Sequence, residues 1–128
     1  MKKLILISLM LLITSITFAQ SEPVRMTATA VCFKFEGEDW TDREHLTTVN
    51  IYLTDQYMTI SSSESQYYRF TSTTSEDVID GNTVIASYAE NADDIACYVR
   101  IVIRKSGLWQ VYIDFSDVTI CYDVEVKI

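Results

Sequence analysis

The sequence predicts an all-β protein: about eight short antiparallel strands in a meander, either a small closed or nearly closed barrel or a two-sheet sandwich. Three observations carry this expectation. Apolar and polar residues alternate with a period of two along most of the chain, the spacing of half-buried strands. From residue 20 onward, 21 Val and Ile stand against three Leu, and stiff β-branched side chains suit a pleated surface. With three Gly and one Pro in the chain, the turns fall to Asp, Asn and Ser, and no stretch carries helical spacing.

The chain opens on a different kind of segment. Lys2 and Lys3 precede an apolar run from Leu4 to Ile16, and Thr17-Phe18-Ala19 places small residues at the −3 and −1 positions of a cleavage site. Residues 1–19 therefore read as a secretory signal peptide, too short for a stable membrane span. Residues 20–128 form a single all-β domain. The ending Phe18-Ala19-Gln20 resembles export signals of Bacteroidetes bacteria, which implies the periplasm or the cell exterior of a Gram-negative cell. No Cys follows the cut, so no lipid anchor on the new N-terminus is expected.

Each strand follows from its alternation. Thr29 to Phe35 directs Val31, Phe33 and Phe35 inward, and Ala30, Cys32 and Lys34 outward. Thr48 to Leu53 directs Val49, Ile51 and Leu53 inward. Met58 with Ile60, and Tyr68 with Phe70, mark two short strands. Thr83 to Ala89 reads as a strand with both faces mixed. Ile95 to Arg104 directs Ile95, Cys97, Val99, Ile101 and Ile103 inward. Leu108 to Phe115 does so with Trp109, Val111, Ile113 and Phe115, and Thr119 to Ile128 with Ile120, Tyr122, Val124, Val126 and Ile128. The large rings on this inward set would fill a small barrel, so a packed interior is expected rather than an open pocket.

The best-specified turn is Lys105-Ser106-Gly107, a three-residue hairpin loop with Gly in the left-handed position. Closure between Arg104 and Leu108 pairs Ile103 with Trp109, Ile101 with Val111 and Val99 with Ile113, all on one face. A two-residue loop would put opposite faces together, so register excludes it. On the outer face Arg100 then lies opposite Tyr112, and Tyr98 opposite Asp114. Two longer connections, Glu36 to Leu46 around Trp40 and Ser72 to Asn82, are rich in acids and are expected to be loops.

The chain carries a net charge of −8, and removing Lys2 and Lys3 makes it more negative. Such a domain repels nucleic acid and anionic lipid, so neither a nucleic-acid partner nor a membrane-spanning role is expected. The apolar content argues against disorder.

Little in the chain has the pattern of catalytic chemistry. His45 is the sole histidine and sits in an acidic loop. No G-x-S-x-G and no CxxC spacing occurs, so neither a serine nucleophile elbow nor a zinc site is indicated. The acidic stretches Asp77 to Asn82 and Glu90 to Asp94 lack a calcium-loop spacing and read as solvated turn acids. No metal, cofactor or catalytic residue is assigned. Cys97 faces the core as a small buried thiol. Cys32 and Cys121 lie on the outward faces of the first and last strands, where they would meet if those strands pair, making them a disulfide candidate in an oxidising compartment. Tyr52, Tyr67, Tyr98 and Tyr112 all face outward, and Tyr98, Arg100, Tyr112 and Trp40 are the candidate binding residues, since exposed aromatics beside Arg are enriched at recognition surfaces.

Trp40 ahead of a strand, the Val49-Asn50-Ile51 stretch and the Gln110-Val111-Tyr112-Ile113 segment resemble small exported β-proteins of unknown function from Bacteroidetes. The resemblance spans most of residues 27 to 128 and implies the all-β fold, with no mechanism attached. The expected function is a non-enzymatic binding or interaction module whose partner, protein or small molecule, the sequence does not name. Alternatives are a lipocalin-like carrier of a small ligand and a hydrolase using loop carboxylates.

Overall fold

The alternation closes on itself. In the computed structural model, which describes residues 23–127, nine strands follow one another: β1 (Val24–Phe35), β2 (Glu44–Leu53), β3 (Tyr57–Ser61), β4 (Gln66–Phe70), β5 (Ser75–Ile79), β6 (Asn82–Asn91), β7 (Ala96–Ile103), β8 (Trp109–Asp114) and β9 (Val118–Lys127). All pairings are antiparallel. Each strand except β5 bonds a neighbour on both edges, because β9 returns to β1 and β4 pairs with β6. The result is an eight-strand closed up-and-down barrel, with β5 sharing with β4 the same edge of β6. Closure leaves β5 as the one described strand with an unpaired edge and decides for a barrel over the sandwich. The signal segment and Ile128 lie outside the described residues.

The inward residues meet along the barrel axis. Met26, Met58, Ile60, Val111 and Ile113 are completely buried, with Ile51, Val99, Ile101 and Val124 beside them. Leu53, Phe70, Trp109, Phe115 and Ile120 pack against this cluster while only partly buried, so Trp109 faces as expected but near an end of the barrel. The Lys105-Ser106-Gly107 hairpin has the register expected of it: Ile103 opposite Trp109, Ile101 opposite Val111 and Val99 opposite Ile113. Arg104 N–H donates to Leu108 O at 2.7 Å, and Gly107 takes φ +97°, which an L side chain resists.

Four expectations are corrected. The stretch Ser72 to Asn82 is not a plain loop: it contains β5, which continues the line of β4 along β6 and turns back at Asp80-Gly81, both with positive φ. That Asp-Gly pair is the signature of a two-residue primed turn. Phe35 is 45% exposed, because it sits at the last position of β1, beyond the packed cluster. Ile95 is 53% exposed, because it belongs to the turn before β7, where its N–H donates to Asn91 Oδ1 at 2.9 Å. The first strand also begins earlier than expected and is bulged at Thr29, where its register with both neighbours shifts. Met26 and Ala28 point inward before the bulge, and Val31 and Phe33 after it, so the inward parity changes from even to odd.

Candidate functional site

The expected binding residues come together on the outer face of β7, β8, β9 and β1. Antiparallel register sets Cys32, Cys121, Tyr112 and Arg100 in one row across the four strands. The next row toward the 104–108 hairpin holds Ala30, Asp123 and Gln110. The opposite flanking row holds Lys34, Thr119, Asp114 and Tyr98.

Residues 40–41 run beside β1 on the edge it shares with β2, and from there the side chains of Trp40 and Arg43 reach over this face as a strap. Thr41 N–H donates to Phe33 O at 2.8 Å, Phe33 N–H donates to Thr41 Oγ1 at 2.9 Å, and Trp40 bridges to Lys34. The Trp40 ring then meets Tyr112 edge-on at 6.2 Å, and the Arg100 guanidinium lies 4.5 Å from the same Tyr112 ring. Arg100 also forks onto Asp114 at 2.9 and 3.1 Å, and Thr119 Oγ1 donates to that carboxylate. Tyr98 packs against Tyr88 at 4.8 Å. Trp40, Tyr112, Arg100 and Tyr98 therefore form one continuous strip.

Four further residues, not singled out by the sequence, tie this strip to the sheet. Arg43 grips Asp123 through Nε at 2.8 Å and Nη2 at 3.3 Å. Gln110 Nε2 donates to Asp123 Oδ1 at 2.9 Å, and Arg104 Nε donates to Gln110 Oε1 at 2.8 Å. Arg104 Nη2 donates to the Tyr112 hydroxyl, which donates in turn to Gln110 Oε1. Gln110 is 4% exposed despite facing outward, because Arg104, Tyr112 and Asp123 close around it. The readable signal was modest: Gln110 and Asp123 share the outward parity of Tyr112 and Cys121. Their side-by-side placement depends on the β8–β9 register, which no turn residue specified.

Both outward cysteines are buried beneath this cover, and all three cysteines are free thiols. Burial pushes the Cys121 thiol up to about 11, with the Tyr112 hydroxyl opposing and the Cys32 and Asp123 side chains adding to the rise. Burial also raises the Tyr112 hydroxyl, followed by Cys121, while Arg104 pulls it down. The Arg43 guanidinium approaches Cys32 Sγ at 3.5 Å.

The barrel interior holds a second polar group of residues. Tyr68 O–H donates to Gln66 Oε1 at 2.6 Å, and Gln66 Nε2 donates to the Tyr122 hydroxyl at 3.3 Å. Gln66 on β4 and Tyr122 on β9 stand on opposite walls, so this contact spans the axis. Tyr68 also packs against Phe115 at 6.4 Å. Burial raises both tyrosine hydroxyls, and it pushes the Cys97 thiol up to about 11, with the Asp114 charge adding to it.

Elsewhere the outer wall carries a bare tyrosine run. Tyr57 lies 6.2 Å from Tyr52 and stacks on Tyr67 at 5.8 Å, while Arg25 sits 5.4 Å over Tyr52. His45 is not in a loop but in β2, exposed and opposite Ala30. Glu90 is engaged by Arg69, and Asn91 Oδ1 is occupied by the N–H groups of Asp93 and Ile95. Among the described residues, no three His, Cys, Asp or Glu side chains are grouped to hold a metal.

The fold and these sites define the chain as a small closed β-barrel with a strapped outer face. No protein family, curated protein or solved structure matches it.

Proposed function

We propose that the chain is an exported, non-enzymatic binding module that meets its partner through the outside of the barrel, in the periplasm or beyond the cell. The observation that carries this reading is the tyrosine run of Tyr52, Tyr57 and Tyr67 with Arg25 on β1 to β4. Tyr67 is 40% exposed, and the run lies away from the strap. Tyrosine offers a large rigid contact area with a polar tip, which is why it is enriched where proteins recognise partners. The strapped strip of Trp40, Tyr112, Arg100 and Tyr98 supports the same reading less directly. Its cation, Arg100, is already engaged by Asp114, and its Trp40 and Tyr112 rings are turned toward each other.

The lipocalin-like carrier is the second reading, and the eight-strand up-and-down closure favours it. Against it stand the Gln66–Tyr122 and Tyr68–Phe115 contacts, which occupy the interior a ligand would need.

Two measurements separate the readings. A fluorescent fatty acid titrated into the purified protein should show no saturable one-to-one binding; saturation would replace the module with the carrier. Cross-linking in intact envelopes should yield an adduct that disappears in a Tyr57→Ser, Tyr67→Ser double variant with an unchanged circular dichroism spectrum. An adduct that persists undiminished would move the binding surface elsewhere.

A further inference from the structure

The most consequential side-chain pair outside the tyrosine run is at the seam where the barrel closes. Cys32 on β1 lies directly opposite Cys121 on β9. The type of pairing follows from neighbouring bonds. Phe33 turns its N–H and C=O toward the strap, to Thr41 Oγ1 and Thr41 N–H. Backbone groups of successive strand residues point to alternate edges, so those of Cys32 point toward β9. The bond from Glu36 N–H to Asp117 O, in the same register, agrees. Cys32 and Cys121 are thus a hydrogen-bonded pair, for which Cα atoms stand about 5.5 Å apart. That separation is within the range of natural disulfides, about 4.4–6.8 Å. Cβ atoms of opposite residues stand about 4.5–5.5 Å apart, against about 3.5–4.5 Å in a disulfide, so bonding closes roughly 1 Å by tilting the two Cα–Cβ bonds toward each other while the backbone bonds hold the strand spacing. Cys97 is no competitor. It faces the interior, on the other side of the sheet, near Tyr68.

We propose that Cys32 and Cys121 are a redox-active pair that closes to a disulfide, covalently joining the first strand of the barrel to the last. The reaction requires a disulfide donor as oxidant. One cysteine thiolate attacks the donor and releases one donor thiol, leaving a mixed disulfide. The second cysteine thiolate then attacks the protein sulfur of that mixed disulfide and releases the other donor thiol. The two cysteine sulfurs are oxidised, the donor is reduced to two thiols, and the two cysteine protons end on them. Arg43 lies against the Cys32 sulfur and both cysteines are buried, so donor and reductant alike reach the pair only when this cover lifts, and the completed bond is shielded once it settles.

The test uses oxidised glutathione as the donor. Purified protein is equilibrated with it, unfolded in acidic urea with a maleimide to block free thiols, digested and weighed. The expected product links the Cys32 peptide to the Cys121 peptide, with Cys97 carrying the block. The oxidised protein should also melt at a higher temperature than the reduced one, and Cys32→Ser should abolish that difference. Should Cys32→Ser fail to fold, Cys97→Ala retains the pair alone, and its intact mass should fall by two hydrogens on oxidation. Blocking of all three thiols at every glutathione ratio would overturn the proposal, as would any linkage that includes Cys97.

Discussion

Replacing Asp123 with Ala should loosen the strap without touching the core. The Asp123 side chain is 15% exposed and takes three bonds: two from Arg43 at 2.8 and 3.3 Å and one from Gln110 at 2.9 Å. Hydrogen bonds to a charged group contribute about 1.5–3 kcal/mol net, and a buried amide left without a partner costs about 1–3 kcal/mol. Arg43 recovers part of this from water, being 49% exposed, so the expected loss is about 2–3 kcal/mol. Arg69→Ala is the control. Its ion pair with Glu90 is 53% and 36% exposed, and pairs of that kind contribute about 0–1 kcal/mol. Urea unfolding followed by tryptophan fluorescence reads both losses. In a domain of this size about 1 kcal/mol moves the melting temperature by roughly 4–8 °C, so thermal melts should separate the two variants clearly. Trp40 emission in Asp123→Ala should shift red as the strap lifts. Equal losses in the two variants would refute the reasoning, as would a coupling between Asp123 and Arg43 near zero in a double-mutant cycle.

Two further outcomes follow from the interior. Ile113→Ala, at a completely buried site, should cost about 3–4 kcal/mol, and Trp109→Ala, at the half-buried barrel end, no more than that despite its larger ring; urea midpoints compare them. The protein should also weaken in alkali: Cys97 is raised from 9.0 to about 11 and Tyr68 is raised from 10.0, so the native state holds protons that the unfolded chain has released. Their contribution is complete below pH 9 and is lost as pH climbs through about 11, and Tyr68→Phe should flatten the part of the decline above pH 10. Unfolding free energies that stay level from pH 8 to 11 would contradict it.

The legible parts of this fold were those written in local alternation and turn chemistry. Gly107 and the apolar runs on either side fixed the β7–β8 register to the residue, and with it the meeting of Arg100 with Tyr112. Pairing of Cys32 with Cys121 followed from the idea of closure alone. The Thr29 bulge was not legible, since Thr is a good strand residue and nothing in its neighbours marks an inserted position. β5 was hidden for a different reason. Its five residues are all exposed, so no inward stripe exists to find, and only the Asp80-Gly81 turn announced it. Burial of Cys32 and Cys121 was illegible because it is conferred from outside the sheet. It requires Arg43 to cross to Asp123, 80 residues away in sequence, and alternation carries no information about a loop folding over a face.

The β1–β9 seam also sets an order of events. Its ladder runs from Arg25 opposite Lys127 to Phe35 opposite Val118, so the chain's opening strand waits for its final one. On a ribosome, or emerging through a pore from its N-terminus, the polypeptide cannot close this ring until the last ten-residue strand is free. Most pairings join consecutive strands, but closing the ring needs this one contact of long sequence separation, which slows folding relative to a helical domain of equal size. Until then β1 and β8 each present an unpaired edge, the surface through which partly made β-sheet proteins associate. A chain that stops before Val118 never loses those edges.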